Sequence, residues 1–365
     1  PGPSGNGWLD TAGLIWADGI EPGTADDCEA TAPNRCWWVD AAAADGGDGS
    51  FGAPFNSFEA VVGYVSGTSY VAGSIQGGDH LYVTGTFQPA SAANPDDLKI
   101  RMARGHQAGT PQNPTVIKSW KGRARAVFDG EHLEGNLVNV GGGTEPHEGL
   151  VIQNVEIWRA AGRGIRIGEG VRHAEVVSVY FHDTLADGNV GTGGAILFGL
   201  TNTLHTYSIH NCLFDNNDVG QYGGANNRGA LGILSESTAD PLSTITVYEN
   251  VLHDEFHAVR HKHSGDVLME AYHNVIYDSE SAFYLRTARA EVHHNLIYRV
   301  GAAFRIWDEN RQADSEQWLS HNTIAQSDSL LVVLSDDPAY TRLVHLTDNL
   351  FSARSSSDGV LILAR

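Results

Sequence analysis

From Val127 onward, short apolar cores recur along the chain, at Leu137–Val140, Ile165–Ile167, Ile196–Phe198, Leu231–Ile233, Ala258–Arg260, Phe283–Leu285, Phe304–Ile306, Leu331–Val333 and Leu361–Leu363. The interval runs from about 21 to 35 residues, within the range of stacked solenoid units. Where apolar and polar positions alternate, as in Ala258–Lys262, they have the period of a strand with one face in a core. A second series carries asparagines at Asn154, Asn211, Asn250, Asn274, Asn295, Asn322 and Asn349, each followed by an apolar residue or threonine and a short strand, as in NVIYD, NLIYR and NTIAQ. Asparagine tolerates left-handed backbone and bonds to neighbouring peptides, so Asn stacked at one bend makes a hydrogen-bonded ladder. Two or three short strands per unit, with no helical period, predict an all-β fold: a right-handed parallel β-helix. The spacing of a leucine-rich repeat is absent.

The N-terminal third reads differently. Residues 1–35 are rich in Gly, Pro, Asp and Ala and read as a leader or linker. Residues 36–126 read as an N-terminal cap and the first coils, and residues 127–365 as the parallel β-helix, the expected catalytic domain. The cap opens with a short strand at Trp37–Asp40. An amphipathic helix follows from about Ser57 to Val65, with Phe58, Val61, Val62 and Val65 on its apolar face. A solenoid cannot leave its end bare, because exposed core and unpaired edges invite aggregation, and this N-terminal capping helix suits that task.

Composition narrows the function. The net charge of −21 argues against a nucleic-acid partner, and no apolar run is long enough to span a membrane. A polyanionic substrate would also be repelled at long range, so any site for one must be locally basic. Of three cysteines, Cys28 and Cys36 are close enough in sequence for a local disulfide, which would imply an oxidising compartment, while Cys212 falls at an apolar strand position and reads as a buried thiol. The chain starts at Pro1 without Met, which fits a processed start and a secreted or periplasmic protein.

One strip stands out. EFHAVRHKHSG, SAFYLRTA and AAFRIWDEN fall into register as successive strands. Lys262, Arg286 and Trp307 then share one line, and Arg260, Tyr284 and Arg305 a parallel line beside it. Alternation sends these six to one face and Val259, Phe283, Leu285, Phe304 and Ile306 to the other. Arginine forks match carboxylates and aromatic faces cover the apolar faces of sugar rings, so Arg260, Tyr284, Arg305 and Trp307 read as sugar-binding neighbours. His261, His263 and, in the following loop, Arg311 join them. The bland alternative is a solvent-facing ladder held by cation–π contact.

The run EFHAVRHKHS, followed a coil later by FYLRTA, resembles the signature of polysaccharide lyase family 6, the family of alginate lyases and chondroitinase B, all parallel β-helices. The family pattern has two acidic residues spaced by one, then a lysine, then a Leu/Phe-Arg on the next coil. Here Glu255 matches the first acid, His257 replaces the second, Lys262 matches the lysine and Arg286 the arginine. The resemblance implies β-elimination on a uronate-containing polysaccharide such as alginate, with Lys262 as base and Arg286 as acid or charge stabiliser. It also implies a Ca²⁺ that neutralises the substrate carboxylate at Glu255 and His257. Ca²⁺ takes oxygen ligands, so the His257 substitution leaves two alternatives: metal-independent action in which cations such as Arg260 take over, or a histidine-preferring metal, zinc or copper, among His253, His257, His261 and His263. An acidic polysaccharide is the expected partner of a monomeric enzyme. The other readings are a non-catalytic glycan-binding or adhesive β-helix, and a glycoside hydrolase or epimerase on the same scaffold. GTEPHEGLVI (Glu145, His147, Glu148) is similar to the Asp-Pro-His-Glu motif of mannuronan C5-epimerases, with Glu in place of Asp, and reads better as a turn. Paired strand aspartates of a two-carboxylate glycosidase are not evident.

Overall fold

The computed structural model describes residues 28–66, 69–88, 100–102, 107, 109–132, 136–141, 147–168, 170–184, 194–200, 204–217, 229–235, 243–263, 267–286, 289–307, 315–334, 342–353 and 362–364. The chain winds as a right-handed parallel β-helix of three long sheets. Sheet I has eleven strands, from Cys36–Asp40 to Arg342–Thr347; sheet II has ten, from Thr86–Phe87 to Leu350–Ala353; sheet III has ten, from Ile100–Met102 to Ile362–Ala364. After the first strand, Cys36–Asp40, each coil contributes one strand to each sheet, and all pairings within these sheets are parallel, in register with the coils before and after.

Inward rows fill one continuous core. In sheet III the row Val138, Ile165, Ile196, Leu231, Val259, Phe283, Phe304 and Leu331 follows the strand register directly. In sheet II the middle residue of each three-residue strand points in, among them Phe181 and Phe214, whose rings stack 4.9 Å apart. Every strand core anticipated from the pattern lies in a sheet III strand, apart from Leu361, which is outside the described residues.

The asparagine ladder exists, with one correction to its chemistry and two to its membership. Asn250, Asn274, Asn295, Asn322 and Asn349 stack at the bend between sheets I and II. Each of the first four donates its backbone N–H and Nδ2–H to the next Oδ1, at 2.9–3.1 Å. The left-handed residue is the one before: Glu249, His273, His294, His321 and Asp348 have φ of 53° to 56°. Asn154 and Asn211 occupy that left-handed position instead, each with φ 54°, and the ladder position beside Asn211 is Cys212, whose N–H donates to Asn250 Oδ1. A one-residue offset separates the two roles, and both accept Asn for different reasons.

The cap is smaller than its sequence suggests. Among the described residues α-helix is confined to one turn, Glu59–Val62, and Gly63 at φ 109° breaks it into an antiparallel hairpin, Gly63–Ser66 with Ser69–Ala72. Consecutive valines disfavour helix, and the glycine takes a backbone angle an L-residue resists. Its task is still met at Phe58, which packs on Phe87 and Phe128 at ring distances of 4.6 and 5.5 Å and closes the end of the core. Cys28 and Cys36 are disulfide-bonded, with Cα atoms 5.7 Å apart. Within residues 28–35 the chain is also held by Asp79, which accepts from Arg35 N at 2.8 Å. Cys212 is a free, buried thiol.

Candidate functional site

The strand register at sheet III pairs Lys262 with Arg286, and Arg260 with Tyr284 and then Arg305. The outward row therefore runs Leu197, Gly232, Arg260, Tyr284, Arg305 and Val332. Lys262, His263 and Trp307 are described by strand position alone, and Arg311 lies outside the described residues, as do most of the loops spanning 216–229 and 308–317.

Burial changes the character of the strip. Arg260 is only 1% exposed and Tyr284 3%, although both fall in an outward row. Arg260 occupies space left by Gly229, where a Cβ would lie 2.9 Å from Arg260 Cβ. Gly194 stands on the coil before, at φ 138°, and any side chain there would strike the Gly229 carbonyl. Arg286 and Arg305 remain half-exposed, with Arg305 Nη2 donating to Glu280 Oε1 at 2.6 Å. His261 points inward in a row with Leu285 and is fully buried. A solvent-facing cationic strip is thus half correct: part of it is enclosed, where desolvated charges interact more strongly.

The acidic end of the motif lies in the turn leading into sheet III. Glu255 is buried in a side-chain ladder of its own. Thr184 donates to Asn217 Oδ1 at 2.9 Å, and Asn217 N and Nδ2 donate to Glu255 Oε1 at 3.1 and 2.9 Å; Glu255 N donates to Ser279 Oγ at 3.2 Å. His257, also buried, has Nδ1 2.6 Å from Ser281 Oγ, and its ring lies 4.6 Å from that of Tyr284. One imidazole and a carboxylate oxygen already held by two N–H groups do not suit a Ca²⁺ cage of six or more oxygens. Among the described residues the group whose donor atoms converge within 4.8 Å is Asp215, His253 and Asp254, which abuts Glu255 on sheet II. His253 Nδ1 lies 2.8 Å from Asp254 Oδ2 and 3.4 Å from Asp215 Oδ1. Two carboxylates and an imidazole suit a divalent cation of borderline hardness better than Ca²⁺.

This group belongs to a strip of which only His253 stands out in the sequence, as a candidate metal ligand. On the outer face of sheet II the third strand position reads Asp129, Trp158, His182, Asp215, His253, Tyr277 and Tyr298. His182 bonds Glu156 and Asp183, at 3.1 and 3.0 Å. Burial opposes charge on His182, but these two carboxylates win and its pKa lies above the ordinary value. Burial, with Asp215 beside it, pushes the Tyr180 phenol far up. The signal was legible as repeated dipeptides after each short strand, HD, DN, HD, YD and YR, had these been placed in register. The rings stack face to face, His253 on Tyr277 at 4.7 Å and Tyr277 on Tyr298 at 4.9 Å, so their edges rather than their faces meet solvent. His147 and Glu148, from the epimerase-like motif, are placed apart from both strips: His147 is buried, and Glu148 pairs with Arg172 at 3.2 Å.

No protein-family model matches the chain, and no curated protein matches it in sequence. Solved structures do match in shape. One is a lacto-N-biosidase from Eubacterium ramulus, 12% identical, with a TM-score of 0.50 over 87% of this chain and 68% of that one. Another is a pectate lyase, 13% identical, with a TM-score of 0.48 over 92% and 84% of the two chains. A third is an alginate lyase from a Paenibacillus species, 14% identical, with a TM-score of 0.47 over 77% and 94%. At such identities the likeness is one of fold, the parallel β-helix.

Proposed function

We propose that this protein cleaves a uronate-containing polysaccharide such as alginate by β-elimination at sheet III. The observation that carries the reading is the pairing of Lys262 with Arg286 on adjacent strands, beside the row Arg260, Tyr284 and Arg305. In this reading the neutral Lys262 amine takes the C5 proton, the electron pair forms the C4–C5 double bond, and the C4–O bond breaks. This role requires the neutral amine, the form that guanidinium charge close by favours. Arg286 holds the substrate carboxylate and stabilises the charge that develops on it, since a guanidinium gives up its proton too reluctantly to act as an acid. The proton on Lys262 is then available to the departing oxygen. Arg305 stands half-exposed beside the glycan path, Arg260 adds positive charge from its enclosed position, and Tyr284 packs on His257. Likeness to lyases and a glycosidase of the same fold supports a carbohydrate substrate. The Cys28–Cys36 bond supports an oxidising, hence secreted or periplasmic, location. Where a divalent ion takes part, Asp215, His253 and Asp254 are the residues suited to hold it, with Ca²⁺ the less suited ion.

The test is to follow the ultraviolet absorbance of an unsaturated uronate on a panel of uronate polysaccharides, with and without EDTA, for the parent and Lys262→Ala. General-base removal should cost about 10²–10⁴-fold in kcat. Full activity in Lys262→Ala would exclude the assignment. Glycan binding without turnover, insensitive to that substitution, would transfer the reading to a binding module, and cleavage without a double bond to a hydrolase.

A further inference from the structure

Away from both strips, four histidines gather at the bend after sheet I. His293 is the outward final residue of the strand Arg289–His293, and His294 follows it in the left-handed conformation, φ 56°. In a straight strand consecutive side chains point to opposite faces. The left-handed residue interrupts that alternation, and the two imidazoles meet with Nδ1 2.9 Å from Nδ1. The corner is anchored: Asn295 Nδ2 donates to His293 O at 3.0 Å, and the His293 ring lies parallel to Tyr272 at 5.3 Å, interplanar angle 1°. His321 stacks on His294 at 4.9 Å and His273 meets it edge-on at 5.7 Å, each at the same left-handed position of a neighbouring coil. Glu270 Oε1 lies 3.6 Å from His293 Nε2. His293 is half-exposed and His294 exposed.

We propose that His293 and His294 form a two-nitrogen chelate for a divalent transition metal of tetragonal preference, Cu²⁺ above all. The 2.9 Å contact is a hydrogen bond between the two rings, and it leaves both nitrogens within reach of one ion once the shared proton is displaced; among divalent first-row ions Cu²⁺ binds imidazole nitrogen most tightly. At the same corner of an earlier coil His210–Asn211 pairs an imidazole with an oxygen group, as do His182–Asp183 and His253–Asp254 at the bend after sheet II. On the adjoining coils His321 stacks on His294, and Glu270 lies 3.6 Å from His293 Nε2. An ion held by the folded corner and not by the unfolded chain would raise the stability of the protein. The site is on a different sheet from the proposed catalytic row, so its fate is independent of lyase activity.

Copper titration of the full chain, read by calorimetry and by electron paramagnetic resonance, tests this. The expected result is one preferred Cu²⁺ per chain with nitrogen superhyperfine structure from two imidazoles. His293→Ala and His294→Ala should each weaken it at least tenfold, and the copper-dependent rise in melting temperature should vanish in the double variant. His345→Ala, which alters an exposed histidine paired with Glu316, should leave affinity within twofold. Circular dichroism of the metal-free variants checks folding, and His293→Gln replaces any variant that fails it. Affinity unchanged in either single variant, or a spectrum without two nitrogen ligands, overturns the proposal.

Discussion

Asn295→Ala removes one rung from the middle of the asparagine ladder, and its cost can be worked from the contacts. Asn295 Oδ1 accepts from Asn274 N and Nδ2, at 3.0 and 2.9 Å, while its Nδ2 donates to Ala271 O, His293 O and Asn322 Oδ1, each at 3.0 Å. Asn274 Nδ2 keeps Val247 O and Tyr272 O, at 2.9 and 3.1 Å, so the group left worst is the Asn274 backbone N–H. A buried group stripped of its partner costs about 1–3 kcal/mol, and the loosened neighbours add a fraction of that, giving about 2–4 kcal/mol in all. Asn349→Ala, at the half-buried last rung, should cost about 1 kcal/mol, because water replaces much of what is lost. Urea unfolding gives the global value. Coils of a solenoid couple mainly to their neighbours, so amide exchange at Asn274 is the sharper assay. An opening cheaper by 2–4 kcal/mol should accelerate it by about 30- to 900-fold. A loss below about 0.5 kcal/mol with unchanged exchange at Asn274, or equal losses at Asn295 and Asn349, would refute the ladder as a source of stability.

Other expectations follow from the same structure. The pKa values of His182 and His210 are raised: burial opposes their charge, but Glu156 with Asp183, and Glu175 with Asn211, outweigh it. The stabilisation is therefore fully present below the unfolded histidine pKa of about 6.5 and is lost as pH rises through the folded values above it. Melting temperature should fall between mildly acidic and mildly alkaline pH, and His182→Gln should flatten that slope; a slope of opposite sign would sink the argument. Phe283 is fully buried and stacks 5.9 Å from Phe304, so Phe283→Ala should cost about 3–5 kcal/mol in urea unfolding. Burial pushes the Cys212 thiol up to about 12, so a thiol reagent should leave the native protein unmodified and react once on unfolding.

How much of this was legible depends on whether a feature repeats. Strand cores, sheet III register and the bend asparagines recur once per coil, and each repeat confirms the alignment of the rest. Lys262 thus lines up with Arg286, and Arg260 with Tyr284 and Arg305, from sequence alone. The sheet II strip repeats as well, but its HD, DN and YD pairs resemble ordinary turn residues until the coils are stacked.

Period and alternation, set by backbone geometry and by the need to bury one face of every strand, determined the parallel β-helix and which side chains share a row. Tertiary structure alone decided what each row became. Arg260 and Tyr284 alternate outward yet are enclosed, because Gly229 leaves room for the arginine. Glu255 reads as a ligand, yet its Oε1 accepts two hydrogen bonds from Asn217, a residue 38 positions earlier in the chain. His293 and His294, adjacent in sequence and so expected on opposite faces, meet because one residue turns left-handed. Alternation is a local property of the chain, whereas burial and convergence depend on which distant coil lies alongside.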